Sequence, residues 1–129
     1  MQNSIPTTLA LVERNDAGLI FVRVHAGVKL TVEGFAEILA ARKQLAQGRP
    51  AGVIATVPED VDFDIRIMNV DHYAGEQAST YTAAFAIVTH ANLYTRLYQL
   101  YAAFFKTDFP VRTFHDEEEA VRWVQEHLV

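Results

Sequence analysis

Two short apolar runs constrain this chain more than any other feature. Residues 51–57 (Ala-Gly-Val-Ile-Ala-Thr-Val) and 82–89 (Thr-Ala-Ala-Phe-Ala-Ile-Val-Thr) carry no charged side chain. A strand that is apolar on both sides has to be buried on both faces, as parallel strands covered by helices are. Parallel neighbours cannot be joined by a tight turn, so the intervening chain must cross over the sheet.

The remaining segments fit that requirement. Residues 9–14 and 19–25 read as strands joined by Asn15-Asp16-Ala17-Gly18, which is turn chemistry, so an antiparallel hairpin is expected. Thr31 can cap a helix running to about Gln47, with Phe35, Ile38, Leu39, Leu45 and Ala46 on one face and Gly48-Arg49-Pro50 as its stop. Arg42 falls within that apolar arc, where it either snorkels past Ile38 and Leu45 or pairs with an acid.

Asp64 can cap a second helix, from about Ile65 to Ala78, with Ile67, Met68, Val70, Ala74 and Ala78 on one arc. A third helix is expected from about Asn92 to Lys106 and a last strand from Pro110 to His115. The final helix opens at Asp116-Glu117-Glu118-Glu119 as a capping box, with Ala120, Trp123, Val124 and Leu128 as its apolar stripe. The order is β-β-α-β-α-β-α-β-α: an α/β domain with a mixed, mostly parallel five-stranded sheet and about four helices. Residues 1–129 read as one domain, with 1–8 as a flexible lead.

Composition narrows the chemistry. The chain has no cysteine, which excludes disulfides, thiolate metal sites and a cysteine nucleophile. Its formal net charge of −5 opposes nucleic acid and anionic lipid. Neither a leader sequence nor an apolar run long enough to span a bilayer is visible, so the cytoplasm is the expected compartment.

The element order and the run Pro110-Val111-Arg112-Thr113-Phe114-His115-Asp116-Glu117-Glu118-Glu119-Ala120-Val121-Arg122-Trp123-Val124 resemble the STAS domains. These have the fold of bacterial anti-sigma-factor antagonists. The likeness is closer to the stand-alone STAS-like and SEC14-like bacterial domains, and the strand Ala83-Ala84-Phe85-Ala86-Ile87-Val88 suits that group. The resemblance covers roughly residues 9–128. It implies a regulatory interaction domain and, on the SEC14-like side, a lipid-binding one. In the antagonists, an Asp-Ser pair after the central strand carries the phosphoacceptor serine. The matching stretch here, Thr56 to Ile65, has no serine, which leaves Thr56, Asp60, Asp62 and Asp64 as the candidate switch loop.

Few residues suggest chemistry directly. Asp60, Asp62 and Asp64 alternate, but an EF-hand starting at Asp60 would need Gly and Glu where Ile65 and Asp71 stand, so no metal is expected. His90, next to Thr89, ends a predicted parallel strand, where open α/β sheets place ligands. No phosphate-binding loop, nucleophile elbow or paired catalytic group accompanies it, and no cofactor is expected.

The helix at 92–106 is the most unusual segment. Leu93, Leu97, Leu100 and Phe104 make one apolar stripe, and Tyr94, Tyr98, Tyr101 and Phe105 make a second. One stripe suffices to pack on a sheet. The tyrosines suit an interface with a second copy or another protein partner. The leading expectation is therefore a non-enzymatic STAS-like interaction domain, homodimeric through this helix. The alternatives are a small-molecule or lipid carrier with a pocket beside it, and an enzyme using His90 with the Asp60–Asp64 loop.

Overall fold

The computed structural model describes residues 3–128, apart from the side chain of Phe104. Its main sheet contains β1 (Ser4–Pro6), β2 (Ala10–Arg14), β3 (Ile20–Val24), β5 (Ala51–Thr56), β7 (Thr82–Val88) and β8 (Val111–Phe114), in the order β1-β2-β3-β5-β7-β8. From β3 to β8 all neighbours are parallel; β1–β2 and β2–β3 are antiparallel. The two apolar runs are β5 and β7, side by side, with Ile54 opposite Ala86. The fold is a mixed, mostly parallel α/β sheet with three α-helices: α1 (Val32–Ala46), α2 (Asn92–Phe104) and α3 (Glu117–Glu126). A two-stranded parallel ladder pairs β4 (Lys29–Leu30) with β6 (Asp62–Phe63).

Local chemistry explains the element ends. Asn15 Oδ1 accepts from the Ala17 and Leu19 amides, and Gly18 takes φ 85° to close the hairpin. Thr31 Oγ1 accepts from Gly34 N and starts α1. Asp116 starts α3 by accepting from Glu118 N, beside the acidic first turn Glu117–Glu119.

Two details differ from the sequence expectation. The lead at 1–8 contains a strand: Ile5 pairs with Val12 at the sheet edge, and Pro6 is tolerated because an edge strand need not donate on its outer side. Residues 1 and 2 lie outside the described residues.

The helix expected at 65–78 is a 3-10 turn over Ile65–Asn69, followed by loop and a second short turn at Ala78–Thr80. Asp71 Oδ1 caps the Tyr73 amide and Gly75 has φ 74°, so the backbone is satisfied locally in turns. The apolar arc read from the spacing survives as single side chains: Ile67 and Ala78 are buried.

The sheet separates two cores. On one face α3 packs directly on the strands, bringing Ala120 and Val124 against Leu19, Phe21, Ile54, Ala86, Val88 and Phe114. On the other face lie α1, the 61–81 segment and α2. No helix among the described residues is long and apolar enough to cross a membrane.

Candidate functional site: a cavity beneath helix α2

The second face of the sheet is incompletely filled. A cavity of about 240 Å³ lies between the strands and α2. Val22, Val24, Ala55, Val57, Phe85 and Ile87 form its floor. Phe35, Ile38, Leu39 and Arg42 of α1 form one wall, and Phe63, Ile67, Met68, His72 and Tyr73 form another. Tyr94, Leu97, Tyr98 and Tyr101 of α2 cover it. Small-molecule sites are typically apolar clefts of about 300–1,000 Å³ with a few placed polar groups. This one is slightly smaller and has the same character.

The tyrosine stripe therefore turns inward, against its own chain, where the sequence reading had aimed it outward at a partner. Tyr94 Oη donates to the Val61 carbonyl. Tyr101 Oη donates to Val70 O (2.9 Å) and accepts from His72 N (3.0 Å). The physical reason is that a phenol can reach across a gap to satisfy loop carbonyls, which leucine cannot do. Phe105 closes the helix with its ring 4.9 Å from that of Tyr101. Leu93 and Leu100, assigned to the sheet side from the sequence, are the exposed large apolar residues among the described side chains of α2, at 56% and 55%. The fourth member of their stripe, the Phe104 side chain, lies outside what the structure describes.

His72 ties the cover to the wall. Its ring stacks on Tyr101 at 5.4 Å, meets the edge of Phe35 at 4.8 Å, and places Nε2 2.8 Å from Ile67 O. Burial holds its imidazole below the ordinary histidine value. Tyr98 has no hydrogen-bond partner among the described residues. Burial, followed by the neighbouring Tyr73 and Tyr101, pushes its phenol up to about 12, so it stays a neutral donor.

Arg42 is the polar group of the wall, and it follows neither course that the sequence offered for it. It is 3% exposed, so it does not snorkel, and no carboxylate among the described residues lies within ion-pair distance. Nη1 donates to Tyr73 Oη (3.0 Å) and Nη2 to Thr82 Oγ1 (2.8 Å), while Nε has no partner. The guanidinium sits over the rings of Phe85 (4.8 Å), Tyr73 (5.8 Å) and Tyr81 (5.9 Å). Each such contact contributes about 0.5–2 kcal/mol. Burying an ion costs several kcal/mol, so the rings offset the charge in part. A signal was present in the sequence: three and four residues either side of Arg42 stand Ile38, Leu39, Leu45 and Ala46, none of which can pair with it.

The other sequence candidates stay apart. Thr56 ends β5 in register with Arg23 and Val88. Asp60 is exposed, Asp62 Oδ1 accepts from Phe63 N, and Asp64 caps the 65–69 turn while its other oxygen takes Arg66 Nε (2.9 Å) and Nη2 (2.6 Å). That pairing holds the Asp64 carboxyl down to about 2. No cluster of three or more His, Asp or Glu suited to a metal occurs among the described residues. His90 is exposed and its ring faces that of His115 at 6.2 Å. Thr89 is buried; its hydroxyl accepts from Ala91 N and its carbonyl meets His115 Nδ1. Among the described residues no hydrogen bond or ion pair joins His90 to the 60–64 loop.

Fold and cavity together define a STAS-like α/β domain with an apolar chamber under one helix. The chain belongs to the family described as "Domain of unknown function (DUF7793)", whose model matches residues 14–128. No curated protein matches it. Among solved structures, it is similar to an uncharacterised protein of the DUF3478 family with a SpoIIAA-like fold from Shewanella loihica PV-4. The two share 17% identity over 96% of this chain and 99% of that one, with a TM-score of 0.63. That likeness bears on fold alone, and the STAS-like expectation holds at that level.

Proposed function

We propose that this domain is a non-enzymatic binding module that holds one small, largely apolar molecule in the cavity under α2. The observation that carries the reading is the 240 Å³ chamber itself, lined almost throughout by apolar and aromatic side chains, with three tyrosines of one helix along it. Apolar walls left facing water on the open side of the cavity forgo about 25 cal/mol for each Å² that could be covered. A bound molecule recovers that loss. Native mass spectrometry of freshly purified protein tests the reading, together with titration of 1-octanol into stripped protein. A retained small molecule, or saturable 1-octanol binding that Ala55→Leu abolishes, is the expected result. Absence of both overturns the reading.

A second copy docking on α2 is the second reading. It is supported by the exposure of Leu93 and Leu100 on the outer side of the same helix. Sedimentation of wild type and of Leu93→Glu/Leu100→Glu separates the two. A concentration-dependent dimer lost in the double variant supports docking; a monomer in both removes it.

A further inference from the structure

We propose that the molecule in this cavity is a singly charged amphiphile, an apolar body ending in a carboxylate that meets Arg42. The inference rests on the binding-module reading above and adds to it the chemistry of the ligand's head.

Arg42 lines the cavity, is nearly fully buried, and has no acidic partner among the described residues. Of the five N–H groups of a guanidinium, two have acceptors: the Tyr73 hydroxyl and the Thr82 hydroxyl. Nε–H is a buried donor without a partner. Both acceptors are neutral, so the positive charge itself is unmatched. A carboxylate accepts side by side from two guanidinium N–H groups and brings the missing charge.

The charge count sets the class. Arg42 is the one permanently charged side chain of the lining, so a single negative charge is matched and a phosphate dianion is not. The remaining walls are aliphatic and aromatic, which suits a hydrocarbon or aryl body. At about 30 Å³ per water-sized group, the chamber accommodates about eight non-hydrogen atoms. A short- to medium-chain fatty acid is of about that size, hexanoate filling it and the end of an octanoate chain reaching the open side of the cavity.

Octanoate, 1-octanol and octylammonium have the same chain and differ in head charge. Each is titrated calorimetrically at pH 7.5 into wild type, Arg42→Met and Arg42→Lys. In wild type, octanoate binds at least about tenfold more tightly than 1-octanol, and octylammonium does not bind. Arg42→Met removes the preference while keeping 1-octanol binding, and Arg42→Lys keeps part of it. Equal affinity of wild type for octanoate and 1-octanol, or a preference for the alcohol, overturns the carboxylate inference and leaves the binding-module reading standing. Failure of wild type to bind any of the three overturns both. The wild-type comparison needs no substitution, so a variant that does not fold leaves the test intact.

Discussion

The two faces of the sheet are built from the same strands and solve packing in opposite ways. On the α3 face the backbone comes so close that a Cβ on Gly52 would lie 2.2 Å from Val124 Cγ1. Ala120 and Val124 there are fully buried. On the α2 face, no residue with a described side chain in the covering helix is fully buried, and a chamber remains. The helix starts differ as well: Asp116 caps α3 through its side chain, whereas Ala91 at the start of α2 offers none. One face has the density of a protein interior. The other keeps space under a helix held largely by phenols, which is an arrangement suited to binding.

Strand β5 gives the sharpest way to break this contrast, because consecutive residues point to opposite faces. Gly52→Val should cost about 3 kcal/mol by overpacking against Val124. Ala55→Leu, three residues away and facing the cavity, should cost less than about 1 kcal/mol. Chemical denaturation of both variants measures the difference, and equal costs would mean that the two faces are equally packed.

A smaller effect is expected at the start of α2. Ala91→Asp supplies the missing cap and should stabilise the helix by about 1 kcal/mol, seen as slower amide exchange across Asn92–Phe104. The equivalent loss on the other face, Asp116→Ala, should be of similar size.

The smallest effect is expected from pH. His72 has its folded-state value lowered by burial, so the fold favours the neutral ring. Its contribution to stability is complete above about pH 6.5, the unfolded value. It is lost as pH falls from there toward the lowered folded value. Wild type should therefore lose more thermal stability than His72→Gln between pH 7 and 5. Parallel pH profiles would show that the ring is not held neutral.

The sheet was legible in the sequence because its signal is one of alternation and continuity. Runs 51–57 and 82–89 could be little else than buried strands, and β3, β8 and α3 followed from standard caps and turns. A pocket beside the 92–106 helix was an alternative the sequence offered, but its walls were not legible, for two physical reasons. Residues 65–78 carry helical spacing, but Asp71 and Gly75 satisfy the backbone in turns, so Ile67, Met68, His72 and Tyr73 reach the lining as separate side chains and not as one helical face. In α2, both stripes are apolar, and periodicity locates a stripe without saying which one faces in. Loop carbonyls at Val61 and Val70 decide that, and they are remote in sequence. Arg42 was visible as an anomaly; its burial beneath three rings was not.

On the binding-module proposal, the attachments of α2 also set how quickly a ligand would enter and leave. The helix is tethered through Tyr94 and Tyr101 to the carbonyls of Val61 and Val70 in loop segments, while α3 packs directly on the sheet's other face. Opening a few peripheral hydrogen bonds is a local event, far less demanding than global unfolding. On the binding-module proposal, loading and release would run on the clock of these local contacts, at a rate that stabilising the sheet would leave unchanged.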